Sequence, residues 1–176
     1  LKTTGNQYIF GSDGIHLFQL DNKNFQLILG ESKIKGVLSK AVDEAFESIE
    51  KVSNNPDNEL RLIEKNIFSE SFDEKTTEFI KSLIVPLKRD KTIIVDNAFG
   101  IFLGYTLDID ATQYSNLKFR DAVNEKLRND LDIIASYIEK KINKSGLTGY
   151  SFYFYILPFN NAKDDRAAII NKLKGK

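Results

Sequence analysis

The segment FQLILGESK, residues 25–33, is an apolar strand pattern that ends in charged residues rather than in turn residues. Its apolar run at 27–29 is typical of a strand that enters a core, yet Glu31 and Lys33 follow almost at once. Residues two apart on an extended backbone face the same side. The pattern therefore predicts a carboxylate and an ammonium together at a strand end. Two interpretations are open: a solvated strand end, or a site where charge is collected for chemistry.

The neighbouring sequence places this strand in a β-hairpin that leads into a helix. The turn cluster DNKN at 21–24 separates two strand patterns, so we predict a hairpin over 15–33. Apolar residues at helical spacing then predict an amphipathic helix over 37–52. Further patterns predict helices over 59–70, 72–85, 115–144 and 162–174 and strands over 92–107 and 150–159.

This order of elements predicts an α/β fold with a mixed sheet in which Glu31 ends an interior strand. The segment YSFYFYILPF at 150–159 is apolar at both odd and even positions. We therefore expect a central strand that is covered on both faces, with its aromatic side chains in the core.

Composition limits the class of protein. The 176 residues, 41% hydrophobic and 28% charged, predict one soluble globular domain spanning 1–176. Equal numbers of basic and acidic residues, 25 each, give no general positive field, so a nucleic-acid partner would need a local patch. The absence of cysteine excludes disulfides and thiolate zinc sites. A chain that opens at Leu1 and has no methionine is expected to lack an N-terminal part.

No apolar run approaches the roughly 20 residues of a membrane span, and the chain begins without a signal-peptide pattern. We therefore expect a cytoplasmic protein.

The pattern acid-x-Lys occurs four times in the chain, but only Glu31–Lys33 follows an apolar strand. It is also the only one with an acid, Asp13, on the predicted partner strand. The alternative for Asp13 is a turn aspartate that bonds its own backbone in the sequence SDG. The alternative for Glu31 and Lys33 is a surface ion pair that contributes under about 1 kcal/mol.

This set of residues fits metal-dependent phosphodiester hydrolysis. Two carboxylates repel each other in a semi-buried site unless a cation lies between them. Asp13, Glu31 and the backbone carbonyl of Ser32 would give the all-oxygen ligation that Mg²⁺ or Mn²⁺ takes. A bound metal lowers the pKa of water to about 7. Lys33 would orient or deprotonate that water, or neutralise charge on the phosphorus.

Two other basic residues and the single histidine lie nearby in the sequence. Lys35 and Lys40, together with Lys33, are candidates for a phosphate-binding edge at the start of the following helix, with a solvated face as the alternative. Strand parity places His16 on the face opposite its odd-numbered neighbours, so we expect a packing or substrate-side role.

Four segments together resemble a known family: SDGIHLF at 12–18, LILGESK at 27–33, AFGIFLGYTL at 98–107 and YSFYFYILPFNNAKDDR at 150–166. The Asp…Glu-x-Lys set resembles the core of the PD-(D/E)XK nuclease superfamily. More narrowly, the four segments resemble the HamA family, the nuclease-like component of the Hachiman anti-phage defence system. The likeness extends from residue 7 to about residue 173.

The resemblance implies a restriction-endonuclease-like fold, a mixed sheet flanked by helices. It further implies that Asp13, Glu31 and Lys33 are the metal-binding and catalytic residues, that DNA is cleaved with Mg²⁺, and that a partner helicase, HamB, controls cleavage. The chain departs from the superfamily at Ser12, where a proline usually precedes the first acid. The upstream helix that often supplies a further acid also has no counterpart in this sequence.

Two functions from different classes follow. The first is a metal-dependent deoxyribonuclease in anti-phage defence. The second is a catalytically silent module with the same fold, which docks a helicase or binds DNA without cutting.

Overall fold

The structure, a computed structural model, describes residues 13–53, 73–84 and 92–174. Within these ranges the chain forms four strands, four α-helices and a short 3₁₀ turn. In chain order these are β1 Gly14–Gln19, β2 Asn24–Ile34, α1 Leu38–Ser53, α2 Glu74–Ile84, β3 Ile94–Thr106, the 3₁₀ turn Ala111–Gln113, α3 Asn116–Ser145, β4 Ser151–Phe159 and α4 Ala162–Leu173.

The predicted hairpin is confirmed as the antiparallel pair β1–β2. Its turn is closed by the Asp21 carboxylate, which accepts hydrogen bonds from the backbone N–H of Lys23 at 2.8 Å and of Asn24 at 2.9 Å. These hydrogen bonds favour the charged carboxylate and lower the pKa of Asp21. An aspartate that bonds the backbone two residues on is a common turn device.

The four strands form one sheet in the order β1-β2-β3-β4. At the start of β3, the Ile94 N–H donates to the Lys23 carbonyl at 2.9 Å, and after β2 the Lys35 N–H donates to the Gly104 carbonyl at 2.9 Å. The residue numbers of the hydrogen-bonded positions therefore increase in the same direction along β2 and β3, so the two strands are parallel. The predicted α/β fold with a mixed sheet and flanking helices is confirmed, and β2 lies between β1 and β3 as expected for an interior strand.

The prediction that residues 150–159 form a central, doubly covered strand is wrong. β4 ends the described sheet, and its odd-numbered side chains from 151 to 157 are exposed, with Tyr155 at 66% and Leu157 at 45%. The strand buried on both faces is β3, where Ala98, Phe99, Ile101 and Leu103 are almost inaccessible. An apolar run indicates a hydrophobic strand, but it does not predict whether the strand is central or at the edge, because that position depends on pairing with distant residues.

The Gly104 position shows how tightly β3 is packed. A Cβ at this residue would lie 2.7 Å from Cε2 of Phe159 and 3.0 Å from Cγ1 of Ile34. The first contact is shorter than real Cβ atoms make and the second is tighter than nine in ten of them, so the missing side chain lets both neighbours approach the backbone.

The predicted helices over 37–52, 72–85, 115–144 and 162–174 are confirmed with small shifts at their ends. The apolar face of α1 includes the fully buried residues Ala41, Val42 and Ala45. By contrast, α3 buries only Ile134 and Ile138 among its 30 residues. It ends at Gly146, which has the left-handed φ of 73° and donates its N–H to the Ile142 carbonyl.

The chain divides into two compact units, and the division falls within the strands β2, β3 and β4 and within the helix α1. In β2 the first unit ends at Glu31 and the second begins at Ser32. The first unit has a small core around the buried Leu27, against which Ile15, Leu17, Leu29, Ile80 and Val95 pack. Whether 1–176 behaves as one domain stays a prediction.

The predicted helix over 59–70 lies outside the described residues. No α-helix in the described ranges is both long and apolar enough to cross a bilayer.

Candidate metal and catalytic site

Asp13 lies next to the end of the hairpin that carries Glu31. Its backbone N–H donates to the Gly30 carbonyl at 2.7 Å, and the strand register pairs the following residue, Gly14, with Gly30. Asp13 itself is exposed. The hairpin therefore brings the backbone of the first acid beside the residue that precedes the second.

The facing glycines explain why the two strands can meet so closely here. A Cβ at Gly30 would lie 3.1 Å from the Gly14 carbonyl oxygen, tighter than nine in ten real Cβ contacts. A larger residue would require the backbone at Gly14 to shift by a few tenths of an ångström. Glycine at position 30 therefore suits the close pairing of the strands beside Asp13 and Glu31.

Glu31 is the buried member of the predicted site. It is 7% exposed, and it is the only Asp, Glu, Lys, Arg or His among the described residues that is buried. Taking a carboxylate out of water costs several kcal/mol or more unless a charge or hydrogen bonds compensate for it. Burial therefore sets Glu31 apart from the other described acids.

Ser32 and Lys33 follow on β2 and open the second unit. The residue Ser32 is exposed, and Lys33 is half-buried.

The structure distinguishes the two predicted nucleic-acid-binding lysines. Lys35 forms an ion pair with Glu44 of α1, with Nζ 2.6 Å from Oε2. Lys40 is exposed on the first turn of α1. The charge of Lys35 is thus already balanced within the chain, whereas Lys40 faces solvent.

The donor set fits a hard dication only in part. Carboxylates and a strand carbonyl are ligands that Mg²⁺ takes, with waters completing the octahedron. Within the ranges that the structure describes, however, no group of three or more His, Asp or Glu side chains could hold a metal. Asp13 and Glu31 would be the side-chain ligands, and waters would supply most of the coordination sphere.

His16 occupies the side of β1 that strand parity predicts. It is exposed, whereas Ile15 and Leu17 pack against Leu27. Parity is confirmed, and the role of this histidine stays a prediction.

Sequence reasoning missed a charged cluster that joins α1 to α3 in the second unit. The Asp43 carboxylate accepts a hydrogen bond from the Tyr137 hydroxyl at 2.6 Å and pairs with Lys141 Nζ at 2.5 Å. The hydrogen bond to Lys141, then that to Tyr137, lowers the pKa of Asp43, and the same carboxylate raises the pKa of Lys141. Asp43 and Tyr137 are 94 positions apart, so no local pattern indicates the contact.

A second cluster lies at the end of β3. The buried Tyr105 hydroxyl donates to Asp130 Oδ2 at 3.1 Å, and Lys126 Nζ lies 3.6 Å from Asp130 Oδ1. Burial, followed by the hydrogen bond to Asp130, raises the pKa of Tyr105 well above its usual range. The first cluster thus joins α1 to α3, and the second joins α3 to the end of β3.

Comparison with known proteins gives one match. The family model described as HamA matches residues 1–173, nearly the whole chain. Searches of curated proteins and of solved structures found no significant match.

Proposed function

Since this chain belongs to the HamA family, which indicates a role in Hachiman anti-phage defence, we propose that it hydrolyses phosphodiester bonds of DNA with Mg²⁺ or Mn²⁺. The observation that carries the proposal is the buried Glu31, at the end of an interior strand and beside the anchored Asp13. Carboxylate oxygens are ligands that Mg²⁺ takes, and the pairing of the two strands brings the two acids of the chain segment close together.

In this proposal Asp13, Glu31 and the Ser32 carbonyl hold the metal, and when bound it supplies a water of lowered pKa and a Lewis acid for the phosphoryl oxygen. Lys33 follows Glu31 by two positions on one extended strand, so both side chains leave the strand on the same side. The Lys33 ammonium either orients the attacking water or stabilises the charge that develops on the phosphoryl oxygens. The exposed Lys40 binds a phosphate of the DNA backbone.

The activity is held in check by a partner helicase, HamB, which the family resemblance implies. A nuclease without control would attack the host's own DNA, so a defence role requires restraint. The family match supports this part of the proposal at the level of the defence system.

The test is cleavage of plasmid DNA in Mg²⁺ or Mn²⁺ by the wild-type chain and by D13N, E31Q and K33A. We expect each substitution to lower the rate by on the order of 10²–10³-fold, because each removes a group that stabilises the transition state. E125Q, which changes an exposed acid on α3, is the matched control and should retain full activity. Equal cleavage by all the proteins would reject the proposed chemistry.

One observation favours a second candidate, the silent module that docks a helicase or binds DNA without cutting. The described residues form no cluster of three acidic or histidine side chains, which many metal sites have. Calorimetric titration with Mn²⁺ separates the two. A binding signal that D13N abolishes supports the nuclease, whereas DNA binding without metal binding supports the module.

A further inference from the structure

An open groove runs along the second half of α3, on the side of the helix that faces β4. It has a volume of about 570 Å³. All its residues belong to the second unit. Its walls are mainly apolar and include Leu131, Ile134, Ile138, Ile142, Phe154 and Ile156.

The groove has a buried floor and an exposed rim. Ile134 and Ile138 are 5% and 8% exposed, and they form the base of the groove. Leu131 is 42% exposed at one end, and the neighbouring Ala135 is also exposed. The groove thus offers an apolar base that a side chain of a partner can reach from its open rim.

The charges that line the groove have one sign. Asp132 and Glu139 are its only charged residues, and both are exposed. The whole helix α3 carries seven Lys or Arg and five Asp or Glu, so an acidic lining is not what the helix composition alone gives. The two acids are seven residues apart, about 10.5 Å or two helical turns along the axis.

We propose that this groove binds a basic amphipathic helix of a partner protein. In α/β folds, helices cover the faces of the sheet, and a helix beside α3 would extend that layer over Phe154 and Ile156. The lining from Leu131 to Asn143 is about 18 Å long, which matches about three turns of a helix with apolar anchors at i, i+3, i+4 and i+7. Lys or Arg side chains on its flanks would pair with Asp132 and Glu139. An acidic helix or a nucleic-acid strand would be repelled.

The test uses two designed 18-residue, alanine-rich, labelled peptides that differ only in charge. Both carry Leu at i, i+3, i+4 and i+7, and the flanking residues are Lys in one and Glu in the other. By fluorescence anisotropy we expect the Lys peptide to bind about tenfold more tightly, since two exposed ion pairs replace two repulsions. The double substitution D132K/E139K should reverse this preference, whereas D121K/E125K, outside the groove on the same helix, should leave it unchanged.

Steric blocking supplies the second readout. A135R places a long side chain in the groove and should weaken binding of the Lys peptide more than tenfold, whereas S136R, at the next residue and outside the groove lining, should not. Circular dichroism verifies that each variant is folded. Equal affinity for the two peptides, insensitivity to A135R, or no binding by the wild-type chain would each overturn the proposal. None of these outcomes depends on nuclease activity.

Discussion

At the scale of single residues, Glu31 stands out because the fold buries its carboxylate while the other described acids stay at least partly exposed. The isosteric substitution E31Q removes the charge of this side chain and keeps its volume and a hydrogen-bonding oxygen. If the carboxylate serves a metal, E31Q should lower activity strongly while it changes stability little. This contrast between stability and activity can be measured directly.

We predict that Mg²⁺ raises the melting temperature of the wild-type chain and not that of E31Q. Ligand at ten times its Kd stabilises by about 1.4 kcal/mol, which corresponds to roughly 3–6 °C for a chain of this size. E31Q should melt within a few degrees of the wild type in EDTA. Differential scanning fluorimetry with and without about 10 mM Mg²⁺ checks this. A wild-type melting temperature unaffected by Mg²⁺, or an equal rise in E31Q, would contradict a metal held by Glu31.

Asp43 leads to a prediction about pH. Its folded-state pKa is lowered by Lys141 and Tyr137, so its contribution to stability is complete above the ordinary value of 3.8 and is lost as pH falls through the folded pKa. The pKa of Lys141 is raised, so its share is complete below 10.5 and is lost as pH rises through the folded value. D43N should therefore be less stable than the wild type at about pH 7, by less than about 1 kcal/mol because Asp43 is partly exposed and solvent screens the pair.

Urea denaturation at about pH 7 and about pH 3 checks this dependence. The difference between D43N and the wild type should shrink at the lower pH, where the wild-type carboxylate begins to take up a proton. E47Q, an exposed acid on the same helix, should show little difference at either pH. A gap between D43N and the wild type that does not change with pH would show that the contact works through packing rather than charge.

At the scale of elements, the burial of β3 explains why a glycine occupies position 104. β3 is buried on both faces, and Gly104 admits the Phe159 ring and the Ile34 side chain close to its backbone. Any Cβ there must push one of them away. The glycine is thus required by packing and not by a turn.

G104A should lower the free energy of unfolding by about 1–3 kcal/mol, the usual cost of an added methyl group in a filled core. G149A is the matched control, because a Cβ at Gly149 meets nothing within 4 Å, and it should change stability by no more than about 0.5 kcal/mol. Chemical denaturation of both variants checks the comparison. Similar stabilities would mean that Phe159 and Ile34 have room to move.

At the scale of the whole molecule, three strands contribute residues to both compact units. A strand that loses its pairing in one unit loses the extended backbone that continues into the other. We therefore predict one cooperative unfolding transition. Far-UV circular dichroism and tyrosine fluorescence should give coincident curves in urea, whereas two separated transitions would show that the units unfold independently.

The comparison of sequence with structure follows the same scales. Helical periodicity located α1 and α3 to within a residue or two, and the DNKN turn located the hairpin, because these signals are local. The edge position of β4 and the Asp43 cluster escaped sequence reasoning, since both depend on residues far away in the chain. For the candidate site, the order Asp13, Glu31 and Lys33 could be predicted from the sequence, whereas the close approach of Gly14 and Gly30 and the burial of Glu31 emerge only from the structure.

The second half of α3 contacts α1 on one side and borders the proposed binding groove on another, which has a mechanical consequence. Tyr137 donates a hydrogen bond to Asp43 and Lys141 forms an ion pair with it. Ile138 and Ile142, on the same turns of α3, line the groove. A partner helix that tilts these turns when it binds the groove must either break the hydrogen bond and ion pair to Asp43 or move α1 with α3. Since α1 begins only five positions after Lys33, such a pull would reach the strand end that carries the lysine without crossing any long loop.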